Sequence, residues 1–111
     1  MMNKHTGLSD FEINKKVAIN VGGFALSLMV FDDRNGVVKK NIPNIGSRVF
    51  TEFNPCNNPA DAMPIIIENG ISMVRVNNAW SARQFNNHCI EINGDNYYRI
   101  AMEVYLLMNG K

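Results

Sequence analysis

Asn96-Tyr97-Tyr98-Arg99-Ile100-Ala101-Met102-Glu103-Val104-Tyr105-Leu106-Leu107-Met108-Asn109-Gly110 is the stretch on which the fold turns. At 100° per residue only Arg99 and Glu103 share a narrow polar arc of the helix it encodes. Ile100, Ala101, Val104, Leu107 and Met108 make a core-facing stripe, and Tyr98, Met102, Tyr105 and Leu106 make a second apolar and aromatic arc beside it. A helix this apolar is either central in its domain or covered on one side by another chain. Both readings stand at this level, and the second makes Tyr98, Met102, Tyr105 and Leu106 candidate residues of a partner interface. The helix is expected from about Asn96 to Met108, capped by Asp95 and stopped by Asn109-Gly110.

Working backwards, Ile71 to Val76, Trp80 to Phe85 and Cys89 to Ile92 read as short strands. Asn77-Asn78 between the first two is a turn signal, which suggests a hairpin. Before them, Asn54-Pro-Cys-Asn-Asn-Pro-Ala-Asp-Ala-Met-Pro-Ile-Ile-Ile-Glu-Asn-Gly70 carries a helix start in Asn58 (N-cap), Pro59 (N1) and Asp61 (N3). Asp61 also suits the positive end of the helix dipole. Asn69-Gly70 ends the element. Pro64 lacks an N–H and crowds the carbonyl four residues back, so the expectation is one short, kinked helix.

The first half opens on a capping box. Ser9 stands as N-cap and Glu12 at N3, with Leu8 and Ile13 placed as a hydrophobic staple. That helix is expected to reach Asn20, bury Ile13 and Val17, turn Lys15 and Lys16 to solvent, and end at Gly22-Gly23. Phe24 to Asp32 reads as a strand, and Asp33-Arg34-Asn35-Gly36 turns it back into Val37 and Val38 as a hairpin. Between Lys39 and Glu52 the pattern is broken by Pro43 and Gly46, and only Arg48 to Phe53 looks strand-like. The sum is an α+β domain, three helices on one small antiparallel sheet, spanning residues 1–111 with 1–7 as a flexible lead-in.

Composition limits what such a domain does. It has 111 residues, 46% hydrophobic and 19% charged, with a formal net charge of +1. That balance argues against a strongly basic nucleic-acid binder and against a polybasic membrane arm. No apolar run approaches the roughly 20 residues of a membrane helix, and the polar start Met1 to Thr6 has no signal-peptide core behind it. Cys56 and Cys89 fit free thiols of a reducing compartment. Asparagine occurs seventeen times. Asn35, Asn58, Asn69, Asn77, Asn78 and Asn109 have turn or cap roles, whereas Asn14 and Asn20 have no evident one, so the excess reads as bias from an AT-rich gene.

Chemistry-bearing constellations are weak. His5, Cys56, His88 and Cys89 are the soft metal ligands, and neighbouring His88 and Cys89 point to opposite faces of a strand, so no metal is expected. Cys56 with His88, oriented by Asp61, is the one conceivable nucleophilic set. The carboxylates are taken up by caps and turns, and no phosphate-cradling glycine loop exists. No catalytic residues and no cofactor are therefore expected. Lys15-Lys16, Lys39-Lys40 and Arg48 with Phe50, Phe53, Trp80 or Tyr97 are the residues a nucleic-acid partner would use, a less favoured alternative. A small ligand such as a nucleotide would meet Trp80, Arg83 and the loop Asn54 to Asp61, including Asn58.

At Leu8 to Ala18, at Asn54 to Asn69 and at Arg99 to Met108 the chain resembles the NinX-type family of small proteins from temperate phages and prophages of enteric bacteria. Asn58, Asp61, Ala62 and Pro64 to Ile66 carry the more specific part. The resemblance implies an accessory phage role in the host cytoplasm, not a reaction. With the composition it sets the leading expectation: a non-enzymatic protein that binds a host or phage protein, inhibition of a host defence being one form. A homo-oligomer is the alternative use of an unpartnered apolar face. The runner-up role is an accessory factor for phage replication or recombination.

Overall fold

The computed structural model describes residues 5–22, 29–41, 50–84 and 89–111. Its elements run α1 (Asp10–Gly22), β1 (Met29–Asp32), β2 (Val37–Asn41), β3 (Phe50–Glu52), α2 (Pro59–Glu68), β4 (Ser72–Val76), β5 (Ala79–Gln84), β6 (Ile90–Gly94) and α3 (Tyr97–Met108). The α+β reading stands, but the strands form two antiparallel sheets rather than one, ordered β1-β2-β3 and β4-β5-β6. α2 separates them in the chain. The parts of the expected strands Phe24 to Asp32 and Arg48 to Phe53 that precede Met29 and Phe50 lie outside the described residues, as do Phe85 and His88.

Local signals placed the elements. The capping box at Ser9 is complete: Ser9 Oγ accepts from the Glu12 amide at 3.1 Å, and Glu12 Oε1 accepts from the Ser9 amide at 3.3 Å. In the first hairpin Asp32 faces Val37, and Gly36 takes the positive φ of 65° that lets the turn close. In the second, Val76 faces Ala79 across the two-residue turn Asn77-Asn78, with Asn77 at φ 56°. α2 runs through Pro64 as one element, and both Pro64 and Ala60, whose carbonyl loses its helical partner there, are exposed to water. α3 corrects one boundary. Its N-cap is Asn96, not Asp95: Asn96 Oδ1 accepts from the amides of Tyr98 and Arg99, both at 3.1 Å.

α3 is the hub of the packing. It contacts α1 and α2 on its flanks and lies on β5 and β6, while α1 covers β2 of the other sheet. Ile13, Val17, Ala62, Ile66, Ala82, Ile92, Ile100, Val104 and Leu106 belong to one continuous core around it. This decides between the two readings of its second apolar arc. Met102 and Leu106 are fully buried and Tyr105 nearly so, with the Tyr105 hydroxyl accepting from Asn20 Nδ2 at 2.6 Å. Three of the four candidate interface residues are therefore core, because α3 packs on several elements at once. Tyr98 alone stays half-exposed.

At Gly94 α3 approaches the sheet closely. A Cβ added there would lie 2.8 Å from Ile100 Cγ2, a branched methyl in the core with little room to move. Gly94→Ala is expected to lower stability by about 1–3 kcal/mol, measured by thermal or urea unfolding with the secondary structure retained.

Candidate functional site

Arg99 organises the polar chemistry of the molecule. Its Nη1 meets Asp10 Oδ1 at 2.7 Å and its Nε meets Glu103 Oε2 at 3.2 Å, one helical turn on. Its Nη2 donates to the carbonyls of His5 at 3.0 Å and Leu8 at 2.7 Å. The guanidinium fork thus fastens the segment before α1 to α3. His5 is 1% exposed, so the segment before α1 is docked at that residue. Burial pushes the Asp10 carboxyl up, but hydrogen bonds from Arg99 and Asn57 and the Arg99 charge outweigh it and hold the group below its usual range.

Beside this hub, Asn14 holds the loop Asn54 to Asn58. Its Oδ1 accepts from the Cys56 amide at 3.0 Å and its Nδ2 donates to Asn54 Oδ1 at 2.7 Å. The Asn54 amide in turn donates to Asp61 Oδ2 at 2.9 Å, and Asp61 Oδ1 lies 3.5 Å from Lys40 Nζ. Asn58 Oδ1 caps α2 by accepting from the Ala60 amide at 3.0 Å. These bonds account for Asn54, Asn58 and Asp61 as a structural brace between α1, β2 and α2. They also correct the reading of the asparagine excess, since Asn14 and Asn20 both have defined roles.

Two members of the nucleophilic set, Cys56 and Asp61, are committed to structural contacts. Cys56 is fully buried with its Sγ 3.8 Å from the Asp10 carbonyl oxygen. Burial, reinforced by the Asp10 charge, pushes its thiol up to about 12, so almost no thiolate exists near neutrality. Asp61 is committed to Asn54 and Lys40, and His88 lies outside the described residues. Cys89 is a free, exposed thiol. Under native conditions an alkylating reagent is expected to label Cys89 at least about tenfold faster than Cys56, read site by site by mass spectrometry. Among the described residues no cluster of three metal-ligating side chains occurs.

Trp80 and Arg83 do not share a ligand face, because residues three apart on a strand point to opposite sides of the sheet. Arg83 lies on the face away from α3, bonded to Ser81 Oγ at 3.0 Å and Glu91 Oε1 at 3.1 Å. Trp80 faces α3. Its ring meets Tyr97 edge-on at 4.9 Å, Tyr97 meets Tyr98 at 5.0 Å, and the Arg75 guanidinium lies over the Trp80 ring at 5.1 Å. The loop Asn54 to Asn58 reaches this cluster through Asn57 Oδ1, which accepts from Asn96 Nδ2 at 3.4 Å. All three rings are half-exposed. Sequence reading singled out Trp80 and Tyr98 separately; Arg75 became visible only once the β4–β5 register was known.

Two of the four lysines offered for a nucleic acid are already paired with carboxylates. Lys15 pairs with Asp33 at 3.2 Å and Lys40 with Asp61, and Phe53 is buried. No helix among the described residues is long and apolar enough to cross a membrane. No curated protein and no solved structure matches the chain. The model of one family, described as "Bacteriophage P22, NinX", matches residues 4–109, which take in the capping box, the asparagine brace around Asn14, the aromatic cluster and Arg99. The chain belongs to that phage family.

Proposed function

We propose that this chain is a non-enzymatic phage accessory protein that acts in the host cytoplasm by binding a host or phage protein through the surface formed by Arg75, Trp80, Tyr97 and Tyr98. A host defence protein is the partner class that a phage setting favours. One observation carries the reading: three half-exposed aromatic rings in edge-to-face contact, with an arginine over the tryptophan, held on β5 and on the deeply packed α3. Tryptophan, tyrosine and arginine are the residues in which protein–protein binding energy concentrates. Their support on β5 and α3 gives a preorganised surface that loses little side-chain freedom on binding. Asn57 and Asn96 supply the polar rim that such a patch needs.

The test is a photocrosslinking amino acid at position 98, with position 93 as the control, in cells carrying the phage. A single protein captured at 98 and not at 93 is the expected result. The purified pair should then bind at least about tenfold more weakly with Tyr98→Asp, a loss of at least about 1.4 kcal/mol. Equal capture at both positions, or unchanged affinity of the Tyr98→Asp variant, overturns the reading.

A further inference from the structure

We infer that β4 pairs with β4 of a second copy of this chain, antiparallel and centred on Val74, to make one six-stranded sheet across a two-fold axis. β4 is an outer strand of its sheet, hydrogen-bonded to β5 on one side, and among the described residues no strand pairs with the other. Sheet edges are normally blunted by lysine, proline, a bulge or shortness. β4 has no lysine, proline or bulge, and its one charged side chain, Arg75, lies over the Trp80 ring; it is five residues, Ser-Met-Val-Arg-Val, in unbroken register from Ser72↔Arg83 to Val76↔Ala79. By contrast β3 has three residues, and β6 carries Glu91 and ends in Gly94. On the face away from α3, Val74 and Val76 are 37% and 38% exposed.

The hydrogen-bond parity of β4 fits a second antiparallel copy in this register. A two-residue turn makes the residues flanking it, Val76 and Ala79, a hydrogen-bonded pair. Ser72, Val74 and Val76 therefore direct their backbone groups to β5, and Met73 and Arg75 direct theirs outward. Antiparallel pairing centred on Val74 sets Met73 of each copy opposite Arg75 of the other, so the outward donors and acceptors meet each other. A slip by one residue sets outward groups against inward ones and forfeits those bonds. At the centre the two Val74 side chains become a non-hydrogen-bonded pair with Cβ atoms about 4.5–5.5 Å apart. Val76 of each copy then lies opposite Ser72 of the other, so the exposed valines close into one apolar strip. Arg75 lies opposite methionine, not opposite itself, and the net charge of +1 leaves little repulsion between copies. A strand edge this short buries less than about 1,200 Å², which fits a weak dimer rather than an obligate one.

Sedimentation velocity from about 1 to 500 µM is expected to show a monomer–dimer equilibrium in this range. Val74→Lys should raise the dissociation constant at least tenfold, since it sets two lysines directly opposite each other. Its exposed position leaves the fold intact, checked by an unchanged thermal midpoint. In a Cys89→Ser background, Val74→Cys should form an intermolecular disulfide under mild oxidation and Val76→Cys should not. A monomer throughout the concentration range overturns the inference, as do a dimer indifferent to Val74→Lys and equal crosslinking at positions 74 and 76.

Discussion

Replacing Arg99 with methionine is expected to cost about 3–5 kcal/mol of folding stability, read as a lowered midpoint in urea denaturation. The Arg99 side chain is 14% exposed and Glu103 6%. Removing the cation takes an ion-pair partner from the Glu103 carboxylate in the core, and losing a charge-assisted bond to a group already stripped of water costs more than losing one at the surface. The carbonyls of His5 and Leu8 lose their donor as well. Arg99→Lys should restore only part of the loss, because a lysine head cannot span two carboxylates and two carbonyls in the guanidinium's fixed geometry. The double variant Arg99→Met with Glu103→Leu should recover part of the stability relative to Arg99→Met alone, because it removes a buried carboxylate that has lost its arginine.

The same hub sets an acid limit. The folded-state pKa of Asp10 is depressed, so its contribution is complete above the ordinary carboxylate value of about 3.9 and is lost as pH falls through the lower folded value. Asp10 is 43% exposed on its side chain, so solvent screens the pair and the Glu103 side of the hub carries more of the energy. Stability plotted against pH should therefore fall on the acid side in the native chain, and more shallowly in Arg99→Met.

The elements that could be read from sequence are those whose cause is local. A capping box, two tight turns and an asparagine–proline helix start each act within a few residues of their own position, and each is where the residue pattern put it. Asp95 against Asn96 as the α3 cap is a one-residue ambiguity between two good capping residues, which only the direction of the side chain settles. What sequence did not disclose is long-range. Asn14 bonds to residues 40 and 42 positions away, Asn20 to one 85 away, and Arg99 to partners 89 to 94 away. An asparagine with no local role and a distant partner looks the same on paper as one placed by codon bias. The division into two sheets belongs to the same class, since strand order depends on which edges α3 and α1 leave open. Arg99 and Glu103 were legible as a polar pair on an apolar helix, and a paired charge on a buried helix was the available clue that they lie inside.

Leu106→Ala is expected to destabilise the protein by about 3–5 kcal/mol, and it bears on which part of α3 is free to meet a partner. Leu106 is wholly enclosed, as is Met102 one turn before it. Truncation removes three carbons that touch the surrounding core and leaves a cavity that close packing refills only in part, so the transfer and cavity losses add. Had this arc been an interface, truncation would leave the stability of the isolated chain nearly unchanged, since exposed apolar side chains contribute little to folding. Tyr98→Asp is the matching measurement on the half-exposed side of the helix, where the change in stability should stay within about 1 kcal/mol. Urea denaturation of the two variants therefore separates the buried arc from the surface: a large loss at 106 with a small one at 98 leaves the aromatic cluster at the start of α3 as the part of the helix free to meet a partner, and comparable small losses would contradict the enclosure of Leu106.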